Sequence, residues 1–369
     1  MIYIIVLFVS LSIAYSQKPA RKYGELYYST YSYFWTCLPF LLITVLRYDV
    51  GTDYMQYLFG YYLNELSDER ANELIFHQVI NIAHVFDFPF FIILSFGIAV
   101  CALTFYAIYK LSKDVKQSIW MFMLSGFFVT SLSMMRQSAA TAIGFCALVF
   151  LFQGDIKKSV VLMVISYLTH TTGIVYLLLG MFVIFISKHQ ILVRLLNPVL
   201  FLVFITLTVS SGALLRNQLQ EIAVSTDVYE GYFGSEHDEQ NASGTFLLYG
   251  VAPFISYMFA WFDSRWIKCE MKRNSLPYIA YTIMVWLSFA TGLLRQFIPN
   301  GERIVFLFEP FVIFSLPYFI SLTRPNLRNY SLYFSYFIFG ICTFWYYFYK
   351  QSLDILPYHF IFMKDVDIW

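Results

Sequence analysis

Apolar residues run along this chain in long uncharged blocks, at about 2–16, 27–46, 90–109, 119–135, 137–153, 159–170, 172–187, 192–211, 245–262, 277–294, 304–322 and 331–350. Most approach the ~20 residues that an α-helix needs to cross a ~30 Å hydrocarbon layer. The pattern predicts an all-α, polytopic bundle of about 12 transmembrane helices, one membrane domain over residues 1–369. The run 159–187 is too long for one straight span and short for two. It is expected to form a short hairpin whose tip falls at His170-Thr171-Thr172-Gly173. Outside the spans lie a loop over about 47–89, polar to residue 73 and semi-apolar over 74–88, an acidic loop over 212–244 and an aromatic tail, 351–369. The stretch 74–88 is expected to lie along the membrane interface.

Charge orients the bundle. The loops near 17–26, 110–118, 154–158, 188–191, 263–276 and 323–330, with Arg194, carry 16 of the 24 Lys and Arg but only 5 of the 23 Asp and Glu. Basic loops stay cytoplasmic, so both termini are expected on the external face. A one-span reading of 159–187 would reverse this and put the acidic stretch inside. No basic residue precedes the block 2–16 and no small-residue cleavage site follows it, so it is expected to remain as a first helix.

Composition agrees with the pattern. The chain is 59% apolar, 21% aromatic and 13% charged, with a mean hydropathy of +0.63, against roughly 25% charged in a soluble domain. This excludes a disordered chain, a nucleic-acid binder and a disulfide-knit secreted domain. Cys37, Cys101, Cys146 and Cys342 sit within apolar blocks and are expected to be buried small hydrophobes. No CxxC pair or metal-ligand spacing occurs, and no glycine-rich nucleotide loop.

The candidate chemistry lies on the external side, where arginine should be scarce. Arg47, Arg70, Arg136, Arg216, Arg295 and Arg303 all fall there, four of them at span ends. The guanidinium fork suits phosphate oxygens, although helix-end arginines also snorkel to headgroups. Arg136 is the sharpest case, as the only charge between Ile119 and Gln153. Ser131, Ser133, Ser138, Ala139 and Ala140 flank it, permitting close packing that would keep it inside protein. His170 is a candidate acid or base, or a cap on an interrupted helix. In Arg47-Tyr48-Asp49-Val50-Gly51-Thr52-Asp53-Tyr54, Gly51 suits a tight turn. Asp53 suits either a helix start or an acceptor-binding group.

These pieces together resemble the EpsG-like branch of the bacterial Wzy polysaccharide polymerases. The match lies in the Arg47–Tyr54 motif after the second span and in Met135-Arg136-Gln137-Ser138-Ala139 opening a small-residue helix. It continues with His170 and with Glu302-Arg303 at the start of a late helix. The resemblance implies a GT-C-like glycosyltransferase in the bacterial cytoplasmic membrane, joining undecaprenyl-pyrophosphate-linked oligosaccharide repeat units on its outer face. Arg47, Arg136, Arg295 and Arg303 would hold the leaving pyrophosphate. His170 or Asp53 would act on the acceptor hydroxyl. No cofactor or metal is implied, because fixed cations can meet the leaving charge. Expected partners are the lipid-linked donor and acceptor, membrane lipid, a chain-length regulator and a flippase, with no nucleic acid. The product class, whether O-antigen, capsule or exopolysaccharide, is open. The alternatives are a lipid-linked oligosaccharide flippase or exporter and a ligase-type glycan transferase. Transporters usually place ionisable groups at the midplane rather than towards one face.

Overall fold

A computed structural model describes residues 1–22, 25–60, 73–226, 245–262, 269–271, 274–294, 302–349 and 353–363. The described chain is almost wholly helical and divides into two compact units. The first comprises residues 1–182 with 345–369, and the second residues 183–344.

In the first unit, α1 (Ile2–Ser16) and α2 (Thr30–Val45) are followed by α3 (Leu74–Val85) and α4 (Phe91–Leu111). Then come α5 (Val115–Leu124), α6 (Phe127–Ser133), α7 (Met135–Phe152), α8 (Ile156–Thr169) and α9 (Ile174–Ser187), which runs on into the second unit. The core centres on α7, which packs against α4 and α8. Of its residues only Arg136, Phe150 and Phe152 are not fully buried. Its small side chains permit this: Ser166 Oγ of α8 reaches the Ala140 carbonyl at 2.7 Å, and Tyr176 of α9 packs over Gly144 while its hydroxyl meets Thr141 Oγ1 at 2.7 Å. Phe40, Phe105, Phe122 and Phe128 fill the space beside it, with the Phe40 and Phe128 rings 4.8 Å apart and edge-on. Cys37, Cys101 and Cys146 are buried here, as Cys342 is in the second unit.

The hairpin expected from the run 159–187 is present. Helix α8 stops at Thr169, His170-Thr171-Thr172-Gly173 makes the turn, and α9 begins at Ile174. Gly173 lies so close to the Ser166 carbonyl that a side chain there would collide with it, and Gly180 faces Met163 across the hairpin. Two expectations differ. The block 119–135 is not one helix: Gly126, at φ +82°, turns the chain between α5 and α6, and Met134 breaks it again before α7. Residues 74–85 do not merely lie along an interface, because α3 buries Phe76, Ile80 and Ala83 against α4 and α8.

The tail also differs from expectation. Strand β4 (His359–Phe360) pairs antiparallel with β3 (Arg47–Tyr48), a separate two-stranded ribbon from the hairpin of β1 (Ala20–Lys22) and β2 (Glu25–Tyr27). Residues 353–361 form a strap over the Arg47–Thr52 segment. Gly51 N donates to the Asp354 carbonyl at 3.0 Å, Thr52 N to Leu353 at 3.2 Å, and Ile361 N to Leu46 at 2.8 Å. Ile355 is fully buried, its carbonyl accepting from the Tyr3 hydroxyl at 3.0 Å.

The second unit holds α10 (Gln190–Leu195), α11 (Pro198–Thr226), α12 (Thr245–Phe262), α13 (Leu276–Leu294), α14 (Glu302–Phe308), α15 (Val312–Leu322) and α16 (Pro325–Thr343). Asn197 caps α11, its Oδ1 accepting from Val199 N and Leu200 N, each at 3.1 Å, with Pro198 opening the helix. The carbonyl left at Leu196 accepts from both Tyr257 and Tyr278 hydroxyls, at 3.0 and 2.8 Å. Helix α11 runs well past residue 211, so the expected loop 212–244 begins as helix; residues 227–244 lie outside the described residues. Glu309 is buried where a 3-10 turn, Glu309–Phe311, separates α14 from α15.

Among the described residues four segments are long and apolar enough to cross a membrane: 91–111, 135–152, 276–293 and 305–322. Shorter apolar helices include Ile2–Ser16, Tyr31–Val45 and Thr171–Ser187. The chain is a helical membrane protein.

Candidate functional site

Two breaks in helical structure build the site, and of these the hairpin tip was expected from the sequence while the break at Met134 was not. Met134 interrupts the chain between α6 and α7, leaving carbonyl groups at the end of α6 without helical partners. Arg47 answers that need. Its guanidinium is wholly buried, its Nη1 donates to the Leu132 and Val50 carbonyls, and its Nη2 lies 3.0 Å from Met135 Sδ. The Tyr54 ring lies 5.5 Å from it and the Tyr54 hydroxyl donates back to the Arg47 carbonyl at 3.0 Å. Burial pushes the guanidinium down to about 10, so it remains charged at neutral pH. This corrects the expectation that Arg47 faces a pyrophosphate. Its donors are turned inward onto backbone carbonyls, where they brace the Arg47–Tyr54 motif against the start of α7.

Gly51 makes that close fit possible. It sits at φ +99°, and a Cβ there would come within 2.6 Å of the Leu132 carbonyl oxygen. The next residue, Thr52, donates its amide to Ser133 Oγ at 3.2 Å. Asp53 is half-buried at the start of the following helical turn, its carbonyl accepting from Tyr57 N at 3.0 Å. That turn carries the Tyr57 hydroxyl to the Arg136 amide, at 3.5 Å. Asp53 therefore lies one helical turn before the residue that meets the Arg136 amide.

Arg136 is the second residue of α7, a poor place for a cation because the N-terminal end of a helix is already positive. Glu73, the residue capping α3, compensates. Its Oε2 pairs with Arg136 Nη1, with side-chain exposures of 5% and 12%, so little water screens the pair. The Phe76 ring, one helical turn along α3, lies under the guanidinium at 4.4 Å, a contact worth about 0.5–2 kcal/mol.

The second break is the hairpin tip. His170 closes α8 and opens the 3-10 turn, its Nδ1 accepting from Thr172 N at 3.3 Å and lying 2.8 Å from Thr172 Oγ1. A backbone amide can only donate, so Nδ1 carries the lone pair and the ring proton resides on Nε2. That Nε2 lies 3.7 Å from Glu73 Oε1, which also receives the Thr171 amide at 3.5 Å. The ring is one-fifth exposed.

Arg136 and His170, singled out by sequence from separate blocks, thus meet on one carboxylate. Glu73 itself was missed by sequence reasoning. It ends a polar loop rich in other acids, and only its place just before an apolar helix marked it out. Arg295 lies outside the described residues, and of Arg303 only the backbone, in α14, is described. Both belong to the second unit.

Chemically, the Glu73–Arg136–His170 cluster is an anion site with its own anion in place. A guanidinium, the Thr171 amide and the His170 ring converge where one carboxylate sits. Comparison with curated proteins and with solved structures gives no match. The EpsG family, by contrast, matches residues 30–360, from the start of α2 to the strand of the strap. The chain therefore belongs to the EpsG family, membrane proteins of polysaccharide biosynthesis.

Proposed function

We propose that the chain is a Wzy-type polymerase, a GT-C-like glycosyltransferase that joins lipid-linked repeat units at the outer face of the cytoplasmic membrane. The donor is a glycan on undecaprenyl pyrophosphate and the acceptor a single lipid-linked repeat unit. An acceptor hydroxyl attacks the anomeric carbon and the lipid pyrophosphate leaves. The observation that carries this reading is the convergence of Arg136 and His170 on Glu73 at the mouth of a buried helix, in a chain of this family. Arg136 meets the charge that develops on the leaving diphosphate, a role fixed cations can fill without a metal ion. Asp53 and His170 flank the acceptor. Arg47 acts at a distance, by holding the loop that carries Asp53 and Tyr57.

The test is the length of the surface glycan made by cells whose own copy of the gene is deleted. Cells without the protein should show single repeat units in place of a ladder. Arg136→Ala should do the same at a normal level of membrane protein. Arg136→Lys keeps the charge and a partner for Glu73, but should still be impaired because a point charge does not reproduce the bidentate fork. A full ladder from Arg136→Ala would overturn the assignment. Repeat units trapped on the cytoplasmic side would point to flipping instead.

A further inference from the structure

Glu73 is the one member of the cluster that the polymerase reading leaves without a task, and its placement gives it one. It is nine-tenths buried, holds Arg136 through one oxygen, and offers the other, only loosely held, to His170 Nε2 at 3.7 Å and Thr171 N at 3.5 Å. His170 has its Nδ1 turned onto Thr172 and its Nε2 already protonated, so in this arrangement neither ring nitrogen can take a proton from an incoming hydroxyl. The carboxylate can.

From this we infer an ion-pair exchange, resting on the reading of the chain as a polymerase. Before the donor arrives, Glu73 occupies the cationic site at the start of α7. The donor's diphosphate, with more charge and more acceptor oxygens, takes Arg136 from it. With its cation withdrawn, the Glu73 carboxylate is left open to the acceptor hydroxyl at the moment the donor is loaded. The acceptor hydroxyl then gives its proton to Glu73 as its oxygen forms the bond to the anomeric carbon. The bond from that carbon to the diphosphate oxygen breaks, and its electron pair leaves with the diphosphate on Arg136. When the lipid diphosphate departs, Arg136 returns to Glu73, which releases its proton to water. His170 is a positioning residue in this cycle, directing its N–H at the carboxylate. The exchange keeps the carboxylate occupied by Arg136 until a donor is bound, which protects the donor from attack by water.

The experiment uses the full chain reconstituted in nanodiscs, with farnesyl pyrophosphate as the binding probe and lipid-linked repeat units for turnover. Glu73→Gln frees Arg136 but cannot accept the proton. It should bind farnesyl pyrophosphate roughly tenfold tighter than the parent and turn over at least about 100-fold slower, the scale of a lost general base. A merely structural role would weaken binding and turnover together, and that result would overturn the exchange, as would undiminished turnover in Glu73→Gln. Should that variant fail to fold, Glu73→Asp decides. It keeps the charge with a shorter reach, so binding should stay within about threefold while turnover falls at least about tenfold; full turnover from it would overturn the inference. Failure here leaves the polymerase reading intact, since that reading is tested separately by the glycan ladder of Arg136→Ala.

Discussion

Arg47 and Arg136 show how differently two arginines beside one helix end can be used. Both stand out in sequence as cations where cations should be scarce, and residue type alone could not separate them. The distinction is set by what Met134 leaves exposed: a broken helix offers carbonyl oxygens to Arg47 on one side and a positive helix end to Arg136 on the other. Glu73, 63 residues from Arg136, belongs to the same balance, and no local pattern connects them. By contrast Gly51 was legible, because only a turn explains a glycine amid Asp, Val and Thr. Its role is also the most demanding. Gly51→Ala should cost at least about 1–2 kcal/mol from the positive φ alone, with the collision against Leu132 added. The expected outcome is a lower melting temperature in detergent together with loss of polymer, and an unchanged melting temperature would refute the fit described here.

Among elements, the hairpin α8–α9 was legible from run length and charge parity, since no other folding of residues 159–187 kept the loops consistent. Block length misled where a glycine sat inside it. Residues 119–135 look like one span by hydropathy, yet Gly126 takes a left-handed conformation that bends the chain into two short helices. The strap was invisible for another reason. Its bonds to the Arg47–Thr52 segment run through backbone groups, which carry no sequence signature. Its anchoring depends on Ile355, fully buried beneath it. Ile355→Ala should destabilise the chain by about 2–5 kcal/mol, as other buried aliphatic truncations do. It should also shorten the glycan ladder although Ile355 lies among none of the candidate site residues. Thermal unfolding and ladder length measured on the same variant check both halves; a ladder of full length from a destabilised protein would uncouple strap and site.

For the whole molecule, blocks and charge made the membrane class and the all-helical fold readable, while the assembly of distant segments into a site was not. The axis of the first unit is α7, with Thr52 bonded beside its start and the Asp155 loop beyond its end. An 18-residue helix is about 27 Å long, close to the thickness of the hydrocarbon layer. Thr52 and Lys157, both exposed, should therefore lie on opposite faces of the membrane. In a Cys269→Ser background, an impermeant maleimide applied to intact cells should label Thr52→Cys and spare Lys157→Cys. The reverse pattern would turn the site towards the cytoplasm and defeat a reaction on the outer face.

The strap also sets a schedule for biogenesis. Tyr358 donates its hydroxyl to the carbonyl of Ile43, a partner 315 residues earlier in the chain. The ribosome must thus deliver the chain beyond residue 360 before the motif around Gly51 can be clasped. Contacts so remote in sequence form late. A nascent copy that stops before the strap would carry Arg136 and His170 in the bilayer without the clasp that finishes their surroundings, so that competence waits on residues 353–361.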